Sequence, residues 1–178
     1  MKKIELTNSV PKIGKAQISL LEKLSNACAV SGDEGVVRDI VVREVKEFAD
    51  TFKIDALGNV LVTRKAKVEN PVRVMVAAHM DEVGFMLVDE DGDGLFKFSI
   101  VGGVDNRQLV GKPILVGKHN IPGIIGAKPI HLSTADERRN PISVDNLRID
   151  IGPGGSKKIK IGDRATFATR FMNNVPSL

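Results

Sequence analysis

The sequence predicts an α/β unit over residues 1–81 followed by a small β-barrel or sandwich over residues 82–168. Three observations carry this reading. Two amphipathic helical patterns lie before residue 50, and a nearly continuous apolar run spans Val72 to Ala78. Beyond Asp81 helical periodicity gives way to short β-type runs separated by turns. The composition is that of a globular chain, with 42% hydrophobic and 27% charged residues over 178 positions, enough for one real core or two small ones. With seven Phe and no Trp or Tyr, that core is aliphatic, which favours strands.

The elements follow in order. From Lys15 to Val30, Ile18, Leu21, Leu24 and Cys28 recur at helical spacing and mark one amphipathic helix. Ser31 with Glu34 three residues on reads as a capping box, opening a second helix through Ala49 with the stripe Val37, Ile40, Val41, Val45 and Phe48. Phe52–Asp55 and Val60–Thr63 read as a hairpin around Leu57-Gly58-Asn59. Val72 to Ala78 has the pattern of a strand buried on both faces, with His79 at its C-terminal end. Functional groups gather beyond the carboxyl ends of strands in open α/β sheets. Later runs at Val83–Val88, Leu95–Val101, Pro113–Val116, Ile121–Ile125, Leu147–Ile151 and Arg164–Thr169 are the strands of the β-rich domain. Residues 169–178 are turn-like, with Asn173, Asn174 and Pro176, and read as an interrupted return to the first domain.

Charge and cysteine usage exclude several function classes. The net charge of +4 is dispersed, its densest groups being Lys157, Lys158 and Lys160 and the pair Arg138-Arg139. Without Tyr or Trp to stack on bases, nucleic-acid binding is not expected. Cys28 sits in an apolar helical pattern and reads as a small buried thiol, not a nucleophile. The N-terminus, Met1-Lys2-Lys3-Ile4-Glu5, lacks the apolar stretch of a signal peptide, and no run approaches membrane-spanning length, so a cytoplasmic protein without membrane partners is expected.

The chemical signal lies in Ala78-His79-Met80-Asp81-Glu82-Val83-Gly84. In extended backbone, residues two apart project to the same side, so His79 and Asp81 face one pocket. A metal-bound imidazole commonly gives its second ring N–H to a carboxylate, which suits His-x-Asp. A lone histidine is more often structural, and zinc catalysis takes about three protein ligands. His119 and His131 lie in turn-rich segments, and no spacing recruits them. Asp89-Glu90-Asp91-Gly92-Asp93-Gly94 matches the first half of a calcium loop, but Ile100 stands where a bidentate Glu is needed, so it reads as an acidic hairpin turn. Gly152-Pro153-Gly154-Gly155-Ser156-Lys157 has the glycines of an anion-binding nest without the order of a phosphate loop, and reads as a loop.

Four motifs in order add a resemblance. Val30-Ser31-Gly32-Asp33-Glu34, Asp55-Ala56-Leu57-Gly58-Asn59, Ala77-Ala78-His79-Met80-Asp81-Glu82-Val83-Gly84-Phe85 and Ile121-Pro122-Gly123 through His131-Leu132 together resemble the glutamyl and deblocking aminopeptidases of metallopeptidase family forty-two. The likeness runs from about residue 18 to residue 169 and implies the N-terminal half of a dinuclear-metal aminopeptidase acting on short peptides. It implies a partial α/β catalytic domain interrupted by an inserted, PDZ-like β-barrel used in oligomer formation. It assigns His79 as a metal ligand and Asp81 as the catalytic-site residue that orients it. Two divalent ions, zinc or cobalt, complete the site in that family. Its bridging aspartate, general-base glutamate and remaining ligands come from sequence following the inserted domain. The expectation is therefore that this polypeptide alone lacks activity. The alternative is a non-catalytic assembly module whose β domain self-associates as a homo-oligomer. No pair of carboxylates is placed for glycoside cleavage.

Overall fold

The computed structural model describes residues 13–128 and 142–173. His131, the Arg138-Arg139 pair, the first twelve residues and the last five lie outside that range. Helix α1 spans Lys15–Asn26 and α2 spans Gly35–Val45, continued by a 3-10 turn at Lys46–Phe48. Both are shorter than the sequence pattern predicts. Helix α1 stops before Ala27, whose backbone is extended (φ −77, ψ 131). Helix α2 begins four residues beyond Ser31 because that hydroxyl is engaged elsewhere, so the expected capping box does not form. Instead the Glu34 carboxylate accepts from the Gly32 amide, 2.5 Å away.

Strands β1 (Thr51–Ile54) and β2 (Val60–Thr63) form the expected hairpin, in register Thr51↔Thr63 to Ile54↔Val60. Its turn is built by Asp55, whose Oδ1 accepts from the Leu57 and Asn59 amides while Oδ2 accepts from the Asn59 side chain, each at 2.9 Å. These bonds, the Asn59 side chain first, hold the Asp55 carboxyl below its usual range. One of the sequence motifs is thereby accounted for as turn chemistry.

The expected strand at Val72–Ala78 is not there. The segment is extended but unpaired, and Val72, Val74, Met75 and Val76 are 80–92% exposed. Among the described residues β1 pairs only with β2, so this run has no neighbouring strand to take its backbone groups and no sheet face to bury its side chains. An apolar pattern specifies burial only when a partner surface is present.

The remaining strands are β3 (Gly84–Gly92), β4 (Leu95–Val101), β5 (Pro113–Val116), β6 (Ile121–Ala127), β7 (Leu147–Asp150) and β8 (Arg164–Phe167). They close into an antiparallel barrel in the order β3-β4-β7-β6-β5-β8, with β8 pairing back onto β3 at Phe85↔Ala165 and Met86↔Arg164. Period-two alternation sends Phe85 and Leu87, Phe96 and Phe98, Ile114 and Val116, and Leu147 and Ile149 inward. Leu109, from the β4–β5 connection, is fully buried among them. Phe85 meets Phe98 and Phe167 edge to face at ring-centroid distances of 5.1 and 5.2 Å. Ile125, Ile159 and Ala165 complete this cluster, and among the described residues the buried apolar side chains outside it are Ala29, Val30, Val37 and Ile40, so the continuous core belongs to the barrel.

The acidic turn is structural, as its sequence suggests. Asp89 pairs with Lys97 at 2.8 Å, Asp91 with Arg148 at 2.6 Å, and both oxygens of Asp93 accept from the Gly154 amide at 2.9 and 3.0 Å. The glycine-rich loop does hold an anion, and that anion is the chain's own Asp93.

Candidate active site

The site is assembled where the connector between α1 and α2 meets the segment entering the barrel. Val30 and Glu82 form a parallel bridge: the Glu82 amide donates to the Ala29 carbonyl at 2.8 Å, and the Ala29 amide donates to Glu82 Oε1 at 3.1 Å. This clamp holds residues 79–82 extended beside the connector. The junction is tight. A Cβ on Gly84 would lie 2.5 Å from the Ala165 carbonyl oxygen and 2.6 Å from a Val30 methyl, so only glycine lets the three segments meet.

His79 and Asp81 come together as their spacing predicts, with one refinement. His79 Nδ1 lies 2.9 Å from the Asp81 backbone carbonyl and 3.3 Å from its Oδ1, so the carbonyl is the nearer partner. Both neighbours are acceptors. Two acceptors at Nδ1 favour the neutral tautomer with its proton there and the lone pair on Nε2. The imidazole is 86% exposed.

Asp81 Oδ2 accepts from the Ser31 hydroxyl at 2.9 Å. That bond, with a smaller contribution from His79, holds the Asp81 carboxyl below the usual carboxylate range. Sequence reasoning missed this role for Ser31 by reading it as a helix cap. The signal was present, since Ser31 and His79 sit in two of the motifs that carry the family resemblance.

The group opens onto a cleft of about 670 Å³ with Val37 and Val41 of α2 and Val60 and Val62 of β2 along its apolar wall. His79, Asp81 and Glu82 mark its polar end. His119 is elsewhere, in the β5–β6 turn, lining a separate cleft with Lys157 and Lys158. Cys28 is half-buried, and burial, then the Glu82 charge, push its thiol pKa up, which disfavours the nucleophilic thiolate. Among the described residues no group of three or more His, Cys, Asp or Glu side chains converges as a metal-ion cage. The described residues therefore do not by themselves fit the metal centre that the family resemblance implies: one imidazole and its carboxylate are too few donors.

The chain is similar to known proteins over most of its length. Residues 58–175 match the family described as M42 glutamyl aminopeptidase. A putative aminopeptidase of Escherichia coli, FrvX, is 36% identical over 146 residues, covering 80% of this chain and 40% of the relative. The crystal structure of a TET aminopeptidase from a marine sediment archaeon of the Thaumarchaeota superposes with a TM-score of 0.79 at 29% identity, over 87% of this chain and 45% of that one. A TET1 peptidase of Pyrococcus horikoshii, described as able to assemble into a tetrahedron or a large octahedral shell, superposes with a TM-score of 0.71 at 35% identity, over 84% of this chain and 46% of its own. The chain thus spans less than half the length of these relatives. With the family model covering most of its length and the His-x-Asp segment inside the match, the chain belongs to the M42 glutamyl aminopeptidase family.

Proposed function

We propose that this chain supplies part of the active site of a metal-dependent aminopeptidase that removes N-terminal residues from short peptides, with His79 as a metal ligand and Asp81 as the residue that orients it. The observation that carries the reading is the ring geometry: Nδ1 faces the Asp81 carbonyl at 2.9 Å and the carboxylate at 3.3 Å, which favours a lone pair on Nε2 and supports its use as a donor. In this reading residues 1–81 belong to the α/β catalytic domain, 82–168 form an inserted PDZ-like barrel, and 169–178 lead back to the catalytic domain. The exposed Val72–Val76 run and the open apolar cleft beside it support this, since both present surface that a further part of the domain would cover. A cytoplasmic setting and zinc or cobalt as the metal belong to the same reading.

The test is hydrolysis of an aminoacyl anilide in the presence of zinc or cobalt. The 178-residue chain alone is expected to be inactive, and activity is expected when it is combined with a polypeptide carrying the second half of a relative. His79→Ala should abolish the restored activity. Enzyme-like turnover by the chain alone would overturn the reading.

A second reading, a non-catalytic assembly module, is favoured by the closed barrel with its own core and by the shells described for the Pyrococcus horikoshii relative. Mass measurement in solution checks it: a homo-oligomer is expected, and a strictly monomeric chain removes it.

A further inference from the structure

We propose that Ser31 is a positioning residue for the His79 imidazole, acting through Asp81, and that Arg164 of the barrel fixes Ser31 in that role. The Asp81 side chain is 39% exposed, so its rotamer is fixed by hydrogen bonds more than by close packing. Its two oxygens are instead held from opposite sides. Oδ2 accepts from the Ser31 hydroxyl at 2.9 Å, and Oδ1 stands 3.3 Å from His79 Nδ1. Of the two, the serine bond is the shorter and better defined, so it sets where the carboxylate lies and thereby the second of the two acceptors that Nδ1 faces, beside the Asp81 carbonyl at 2.9 Å.

Ser31 is itself anchored across the junction. Its carbonyl accepts from Arg164 Nε at 3.2 Å, and the same guanidinium donates to the Gly162 carbonyl at 3.0 Å. The guanidinium reaches it because the next residue is glycine. Gly32 has φ +85, and a Cβ there would come within 3.0 Å of Arg164 Nη2. Val30, on the other side of Ser31, is tied to Glu82 by the parallel bridge. The serine is thus fixed by the barrel on one side and by the His-x-Asp segment on the other. A line of contacts runs from β8 through Ser31 and Asp81 to the ring. Removing the hydroxyl frees Asp81 Oδ2 and loosens the carboxylate, which leaves Nδ1 with the Asp81 carbonyl as its one fixed acceptor.

The use made of Nε2 rests on the function proposed above; the tautomer does not, so it is read on the full chain without metal. Long-range proton–nitrogen correlation of histidine ring nitrogens at about pH 8, above the ordinary histidine pKa of about 6.5, reports which nitrogen carries the proton. His79 is expected to be mainly Nδ1-protonated in the native chain. Ser31→Ala should lower the Nδ1-protonated fraction, and Ser31→Thr should restore it. The His119 signals and the barrel amides serve as controls that should not move. If Ser31→Ala loses the fold around the connector, Ser31→Cys, similar in size but a weak donor, decides, and an intermediate shift is expected. Unchanged His79 signals in both folded variants, or a Ser31→Thr shift as large as that of Ser31→Ala, overturns the proposal. Failure of the metal reading would show separately, as retention of this tautomer pattern with no change in the ring nitrogens when zinc is added to the chain combined with the second half of a relative.

Discussion

Thr166 lies in β8 at 3% exposure, and its Oγ1 has no hydrogen-bond partner among the described residues. A buried hydroxyl in that state carries a desolvation penalty of about 1–3 kcal/mol. Thr166→Val keeps the branched shape and removes the penalty, so thermal unfolding of the variant is expected at a higher temperature than wild type. A lower melting temperature would show that the hydroxyl finds a partner in solution. At this scale the sequence was most legible where chemistry is local. Asp55 and Asn59 close their turn within five residues, and His79 meets Asp81 two residues on. Ser31 was misread because its partner is 50 positions away, and the local alternative, capping α2, looked complete by itself.

The barrel strands were read from short β-type runs separated by turns, and they stand close to where those runs lie because each inward residue meets a core the chain itself supplies. Phe85 shows how much rests on that core. It is fully buried and packed edge to face on Phe98 and Phe167. Phe85→Ala is expected to destabilise the barrel by about 3–5 kcal/mol, against about 0.5 kcal/mol or less for Phe48→Ala, whose side chain is 64% exposed. Urea unfolding followed by barrel amide signals measures both, and equal losses would contradict the core assignment. The helices were read in place but with the wrong ends, and their stripes are covered only in part: α1 buries no residue, and Leu21 and Phe48 are 53% and 64% exposed. Val37 and Ile40 are buried as the stripe requires, while the start of α2 was displaced by the connector's contacts with Asp81 and Glu82.

Over the whole molecule, burial is uneven: the barrel is filled, whereas the part before residue 82 leaves Val72, Val74, Met75 and Val76 exposed beside an open cleft. Backbone amides at 72–76 should therefore exchange with solvent quickly in the chain alone, since they lack ladder partners. They should become protected when the second half of a relative is added. Rapid exchange under both conditions would remove this segment from the proposed completed domain. The sequence by itself determined the local things: two helices before residue 50, the hairpin turn, the short runs that become the barrel strands, and the meeting of His79 with Asp81. These depend on periodicity and on neighbours a few residues apart. Only the tertiary structure decided that six strands close into a ring, that Ser31 serves Asp81 and not a helix end, and that Arg164 reaches across 133 positions to hold it. It also decided that the most apolar run in the first half lies exposed, because burial is a property of two surfaces and a sequence pattern describes one.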